Sequence, residues 1–125
     1  MEIPRMSPGA VRDHIGHGAR IAFVDARSAT AYEEAVERIP GSLRVPPDVV
    51  DPLAPEPPRG AIIVVYCTCP AERSSARVAL RFRELGMQQA FVLRGGFGAW
   101  QDAGCPVEPL RRGDPQQNAA HHQPM

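Results

Sequence analysis

The stretch Ala61-Ile-Ile-Val-Val-Tyr-Cys-Thr-Cys-Pro-Ala-Glu-Arg-Ser-Ser75 decides the fold of this chain. Its β-branched run predicts a buried strand that ends at Tyr66, and a helical pattern begins at Ser74. Cys67 lies between the two, so loop N–H groups and the positive end of the helix dipole are directed at its sulfur. A thiol placed there loses its proton easily and becomes a nucleophile in an anion-binding pocket.

Strand and helix patterns alternate along the rest of the chain. Strands are predicted at 21–25, 43–45, 61–66 and 90–93, and helices after the Ser7-Pro8 cap, from Thr30 to Glu37, and at 74–85 and 97–103. The proline-rich residues 46–60 are predicted to be an irregular surface connection. This alternation predicts an α/β domain with a mainly parallel sheet. Such folds bind ligands beyond the carboxyl ends of their strands, which is where Cys67 is expected.

Length and composition predict one globular domain. The chain has 125 residues, and we expect a domain over 1–108 with a disordered polar tail over 109–125. Acidic and basic residues number 14 each, so no long-range field points to nucleic acid or a membrane surface. Three cysteines cannot form a closed disulfide framework, which favours a reducing, cytoplasmic location. No signal-peptide layout opens the chain, and its longest apolar run is too short to span a bilayer.

Four motifs, in this order and spacing, resemble the rhodanese-like family over most of the chain. They are Asp25-Ala-Arg27, Ile39-Pro-Gly-Ser42, the segment that carries Cys67, and Leu93-Arg-Gly-Gly-Phe-Gly-Ala-Trp100 followed by Gly104-Cys-Pro-Val107. The resemblance implies a five-stranded parallel sheet flanked by helices. It also implies a sulfurtransferase that moves sulfane sulfur from a donor to an acceptor through a persulfide on the active cysteine.

The resemblance assigns roles to individual residues. Cys67 corresponds to the catalytic nucleophile, and Asp25 and Arg27 correspond to a pair that braces the sheet end. Arg73 offers a planar fork that suits an oxyanion. The substrate-binding residues are expected to be those of the surrounding loop: Thr68, Cys69, Pro70, Ala71, Glu72 and Ser74. The implied partners are a small anionic sulfur donor, such as thiosulfate, and a thiol or cyanide acceptor, or a partner protein.

Other residues of the loop have less specific interpretations. Cys69 either resolves an oxidised Cys67 or points away from it, and we favour the second reading because a disulfide in so short a loop has strict geometry. No metal and no cofactor is expected, since Cys105 and the four histidines do not have ligand-like spacing. Glu72 is expected to have a solvated side chain at the rim of the loop.

The length of the loop leaves two alternatives open. Five residues separate Cys67 from Arg73, one more than in the common sulfurtransferase loop. That spacing also occurs in cysteine-dependent phosphatases and arsenate reductases, where a wider ring of amides holds a tetrahedral oxyanion. Tyr66, however, replaces the histidine that usually precedes the cysteine in the phosphatases. The third reading is a non-catalytic module that binds an anion or senses thiols.

Overall fold

The computed structural model describes residues 2–48, 56–68 and 72–111. Its strands are β1 (Arg5–Met6), β2 (Ile21–Asp25), β3 (Glu37–Arg38), β4 (Leu43–Arg44), β5 (Ile62–Tyr66), β6 (Ala90–Leu93) and β7 (Glu108–Pro109). Five of them form one sheet in the order β1-β6-β5-β2-β4, in which every neighbouring pair runs parallel. The predicted α/β fold with a five-stranded, mainly parallel sheet is confirmed.

Helices flank this sheet and divide its core into two layers. They are α1 (Pro8–Gly16), α2 (Ala29–Glu34), α3 (Arg73–Glu84) and α4 (Gly96–Asp102). On one face α3 contributes Val78, Ala79 and Phe82, which pack with Ile63 and Val65 of β5. The other face carries α1 and α4, through Val11, Phe97 and Trp100, against Val64 and Tyr66. Alternate residues of β5 thus enter opposite layers, as the geometry of a strand covered on both faces requires.

Three short strands were not predicted, and α2 differs from its predicted bounds. The helix begins at Ala29, because its cap is Ser28, two residues before the predicted cap Thr30, and the Ser28 side chain accepts a hydrogen bond from the Ala31 N–H at 3.2 Å. It ends at Glu34, and residues 37–38 instead form β3, which pairs antiparallel with β7. An ion pair of 2.7 Å between Arg38 and Glu108 joins these two strands.

The chain is structured beyond the predicted domain end at residue 108. Pro109 belongs to β7, Leu110 is buried, and the Leu110 N–H donates to the Val36 carbonyl at 2.9 Å. The remainder of the predicted tail, from residue 112, lies outside the described residues, as do residues 49–55 of the predicted surface connection. None of the helices in the described ranges combines the length and hydropathy that a membrane span needs.

Gly96 makes the closest backbone approach to the end of β5. It has a φ of 64°, and a Cβ added to it would lie 2.2 Å from the carbonyl oxygen of Cys67. The same oxygen accepts a hydrogen bond of 3.0 Å from the N–H of Phe97. The first turn of α4 therefore fixes the peptide of Cys67 from one side, and only glycine leaves room for it.

Replacement of Gly96 by alanine should destabilise the protein much more than the same change at Gly98 in the same helix. Gly96→Ala combines a left-handed conformation with a steric clash, which together should lower the free energy of unfolding by roughly 2 to 4 kcal/mol. Gly98→Ala is the matched control, because a Cβ there meets no atom within 4 Å, and helix propensity should make it neutral or stabilising. Urea denaturation followed by circular dichroism measures both. Equal effects would contradict the role assigned to Gly96.

Candidate functional site

Cys67 lies directly after the last residue of β5, at the carboxyl edge of the sheet, where the sequence placed it. Its side chain is fully buried. The Sγ atom is 3.4 Å from the Oγ of Ser75 in the first turn of α3. The N-terminus of this 12-residue helix, where the helix dipole is positive, therefore lies next to the sulfur.

Ser75 is a site residue that the sequence analysis missed, since it named Ser74. Ser75 is buried, and its hydroxyl donates to the backbone carbonyl of Glu72 at 3.1 Å. With its proton used in this way, the hydroxyl oxygen accepts the S–H of the Cys67 thiol. A signal was available in the sequence. Ser75 shares the helical spacing of Val78, Ala79 and Phe82, all on the buried face of α3.

The remaining loop residues are placed as follows. Arg73 is the first residue of α3 and has an exposed side chain, so its guanidinium is accessible to a solvent-borne anion. Thr68 follows Cys67 and is exposed. Ser74, in the first turn of α3, is half-buried. The predicted substrate-binding residues Cys69, Pro70 and Ala71 lie outside the described residues.

The side chain of Glu72 is not solvated at the rim of the loop. Only 14% of it is exposed, and its carboxylate forms an ion pair with Arg5 of β1. The same carboxylate accepts a hydrogen bond from the backbone N–H of Gly95 at 2.7 Å. One charged side chain and one backbone N–H, both from distant parts of the chain, thus hold a carboxylate that the local sequence assigned to solvent and to the substrate-binding loop.

Asp25 and Arg27 form a buried ion pair beside this site. Two guanidinium nitrogens of Arg27 contact the carboxylate of Asp25, the shorter contact being 2.7 Å. Arg27 also donates to the carbonyl of Glu37 at 3.0 Å, and its guanidinium lies 4.9 Å from the ring centroid of Phe97. Burial alone would lower the pKa of Arg27, but hydrogen bonds and charge from Asp25 outweigh it and raise the pKa. This geometry is that of a brace between β2, β3 and α4.

Arg44 completes the brace, although no sequence pattern indicated it. Its guanidinium donates to the backbone carbonyls of Arg27 at 2.6 Å and Asp25 at 3.2 Å, and it lies 4.0 Å from the ring centroid of Tyr32. Burial lowers the pKa of Arg44, and the attraction of Asp25 opposes that effect. Two buried arginines therefore surround one buried carboxylate.

Tyr66 anchors the segment immediately before the nucleophile. Its hydroxyl accepts a hydrogen bond from the Ile39 N–H at 3.2 Å and lies 3.0 Å from the Ser42 hydroxyl, while its ring stacks on Phe97. Burial raises the pKa of this phenol well above its usual value, so it stays neutral at physiological pH. Tyr66 acts here as a buried hydrogen-bonding group rather than as an acid.

A groove of about 310 Å³ opens beside the residue that follows Cys67. Its lining comprises Arg27, Ala31, Glu34, Ala35, Val36, Glu37, Thr68, Phe97 and Gln101. A second cavity of about 350 Å³ lies at the opposite end of the sheet, and the side chains that line it include no cysteine, serine or histidine. Of these two cavities, the groove beside Thr68 lies at the same end of the sheet as the thiol.

The site contains a nucleophile, cations and two carboxylates, those of Asp25 and Glu72, that are already paired. Asp25 and Glu72 are each held by an arginine, so neither is available to protonate a leaving group. Among the described residues, no cluster of three or more His, Cys, Asp or Glu side chains could hold a metal ion. The arrangement suits attack by a thiolate on an anionic reactant whose leaving group needs no proton.

Several solved structures are similar to this chain in fold. A protein of unknown function from Rhodopseudomonas palustris, described as a possible tyrosine phosphatase, is 27% identical, with a TM-score of 0.64 over 85% of each chain. The rhodanese-like domain of an Anabaena protein is 22% identical, with a TM-score of 0.65 over 91% of this chain and 84% of its own. A thiosulfate sulfurtransferase from Pseudomonas aeruginosa is 24% identical, with a TM-score of 0.58 over 86% of this chain but 19% of its own. The last two likenesses are evidence of the fold alone.

A search of curated proteins gives no match to the chain. The family model of the rhodanese-like domain, in contrast, matches residues 7–103, which include the central strand, Cys67 and the first turns of both α3 and α4. This match covers well over half of the sequence. The chain therefore belongs to the rhodanese-like domain family.

Proposed function

We propose that this protein is a sulfurtransferase with Cys67 as nucleophile and sulfur carrier. The observation that supports it best is a buried thiol at the N-terminus of α3. The nearby carboxylates of Asp25 and Glu72 are each held by an arginine. Sulfur transfer from thiosulfate needs no proton donor, because its leaving group, sulfite, departs as an anion. A site that stabilises anions, and in which Asp25 and Glu72 are both paired with arginines, suits that reaction.

The reaction has two steps. The Cys67 thiolate attacks the outer sulfur of thiosulfate, and the bond between the two donor sulfurs breaks as sulfite leaves with its electron pair. The product is a persulfide on Cys67. An acceptor, either cyanide or a thiolate, then attacks the outer persulfide sulfur and releases the Cys67 thiolate. Loop and helix N–H groups, together with Arg73, would stabilise the negative charge in both steps.

A phosphatase or an arsenate reductase is the second candidate. Two observations favour it: the five-residue spacing between Cys67 and Arg73, and the likeness to the Rhodopseudomonas palustris protein. A phosphate ester, however, releases an alcohol that needs a proton, and Asp25 and Glu72 are both paired. The reactive thiol in either enzyme requires reducing surroundings, so we place the protein in the cytoplasm.

Thiocyanate formation from thiosulfate and cyanide tests the proposal directly. We expect turnover by the wild type, loss of turnover in Cys67→Ser, and a Cys67 peptide heavier by one sulfur atom after exposure to thiosulfate. Cys105→Ala is the matched control, because Cys105 is also a buried cysteine but lies in the core layer of α4. It should retain the activity.

The same samples separate the alternatives. Hydrolysis of an aryl phosphate, or reduction of arsenate, that depends on Cys67 and occurs without thiocyanate formation would replace sulfur transfer by the second candidate. Absence of all three activities in a folded wild type would leave a binding module. Only thiocyanate formation that depends on Cys67 supports the first proposal.

We also propose that the acceptor is a thiol that carries a positive charge and enters through the groove beside Thr68. Glu34 is exposed and lines this groove, and Glu37 lies deeper in it, where it accepts a hydrogen bond of 3.2 Å from Gln101. The positive charge of Arg27 in the groove is paired with Asp25. The carboxylates on the wall therefore favour a cationic acceptor.

The effect of the acceptor's charge on kcat/KM should depend on Glu34. We expect cysteamine to accept sulfur with a higher kcat/KM than thioglycolate, and Glu34→Gln to reduce that preference roughly two- to fivefold, the usual range for an exposed charge. Glu33→Gln is the matched control, since the neighbouring Glu33 is also exposed but does not line the groove. Equal effects of the two variants would contradict an acceptor path through the groove.

A further inference from the structure

Glu72 has an unusual backbone conformation for a side chain of its size. Its φ of 58° and ψ of 36° place it in the left-handed region, and within the described residues it is the only non-glycine residue with a positive φ. Such a conformation is strained and persists where surrounding contacts hold it. Glu72 directly precedes α3, so it ends the loop that begins at Cys67.

Two distant parts of the chain hold the Glu72 carboxylate. One oxygen accepts a hydrogen bond of 2.7 Å from the N–H of Gly95, in the turn between β6 and α4. The other oxygen forms an ion pair with Arg5 of β1, which lies 67 residues away in sequence. Hydrogen bonding and charge from Glu72 raise the pKa of Arg5.

The backbone of the same residue reaches the nucleophile. The carbonyl oxygen of Glu72 accepts the hydroxyl proton of Ser75 at 3.1 Å, and the Ser75 oxygen is 3.4 Å from the sulfur of Cys67. Ser75 and Glu72 are therefore both fixed relative to the thiol. A shift of the Glu72 peptide would move the Ser75 hydroxyl and the first N–H groups of α3 together.

We propose that Arg5, Glu72 and the Gly95 N–H form a clamp that positions the active-site loop, and that Glu72 is a positioning residue rather than an acid or a substrate ligand. The clamp fastens the end of the loop to β1 and to the turn before α4. It keeps the N-terminus of α3 directed at Cys67 against the strain of the left-handed residue. The proposal rests on the proposed function only in taking Cys67 as the reactive thiol.

Selective alkylation of Cys67 tests the clamp without any need for sulfur transfer. The rates with iodoacetate, an anion, and with iodoacetamide, a neutral reagent of similar size, are followed on the Cys67 peptide by mass spectrometry. In the wild type we expect the helix N-terminus and Arg73 to favour iodoacetate. The ratio of the two rates reports how well the loop presents its positive groups to an anion at the sulfur.

Glu72→Gln distinguishes the clamp from a simple charge. Removal of a negative charge near the site would by itself raise the iodoacetate preference. Loss of the clamp should lower it, by up to about tenfold if one charge-assisted hydrogen bond is lost. Glu72→Gly covers the case in which the first variant folds poorly, because glycine accepts the positive φ and still lacks the carboxylate. A ratio that is unchanged or raised in both variants would overturn the proposal.

Arg5→Gln and its double variant with Glu72→Gln complete the test. The double variant should be no worse than Glu72→Gln alone, because both changes break the same contact. Arg94→Gln is the matched control, an exposed arginine that precedes the same turn, and it should change the ratio less than Arg5→Gln. Equal effects of Arg5→Gln and Arg94→Gln would assign the result to surface charge and contradict the clamp. If the wild type makes no thiocyanate but these differences hold, the proposed function fails and the clamp stands.

Discussion

The peptide of Cys67 is fixed by the close approach of α4, and the rest of the site depends on that contact. The carbonyl oxygen of Cys67 accepts the N–H of Phe97, and Gly96 leaves no space beside it for a side chain. With the carbonyl directed toward α4, the sulfur lies within reach of Ser75 at the opposite helix, α3. Two helices on opposite faces of the sheet thus define the position of one residue, which a strand end alone would leave free to move.

Arginine side chains supply the positive charges at this end of the sheet. All 14 basic residues are arginine, and three of them, Arg5, Arg27 and Arg44, bind a carboxylate or several carbonyls at the same end of the sheet. A guanidinium has five donors in a fixed plane, so one side chain can join several segments, as Arg27 joins Asp25 to β3. The consequence for chemistry is that Asp25 and Glu72 are each paired with an arginine before a substrate arrives.

Periodic patterns in the sequence predicted the features that repeat along the chain. They did not predict contacts between residues that are distant in sequence. The buried run of β5, the helix after it and the position of Cys67 follow from local composition. That the sheet has five strands was implied by the resemblance to the family, not by the local patterns. Strands β1, β3 and β7 have two residues each, too few to show a period, and they exist because a neighbouring strand supplies their hydrogen bonds. Ser75 was within reach of the helical pattern. The partners of Glu72 were not, because Arg5 and Gly95 are remote in sequence and nothing near Glu72 indicates them.

The number of residues between Cys67 and Arg73 does not by itself distinguish sulfur transfer from phosphate chemistry. The two reactions also differ in whether the leaving group needs a proton donor. A wider ring of amides can hold a tetrahedral anion in either reaction, since thiosulfate is itself tetrahedral around its central sulfur. The two reactions differ at the leaving group. Sulfite departs stably as an anion, but the alcohol of a phosphate ester is a poor leaving group unless a side chain protonates it. In this protein Glu72, the carboxylate within the loop itself, is committed to Arg5 and Gly95. In the proposed clamp the carboxylate of Glu72 maintains the shape of the loop, so it does not supply the proton that a phosphatase needs, and this is the argument for proposing sulfur transfer.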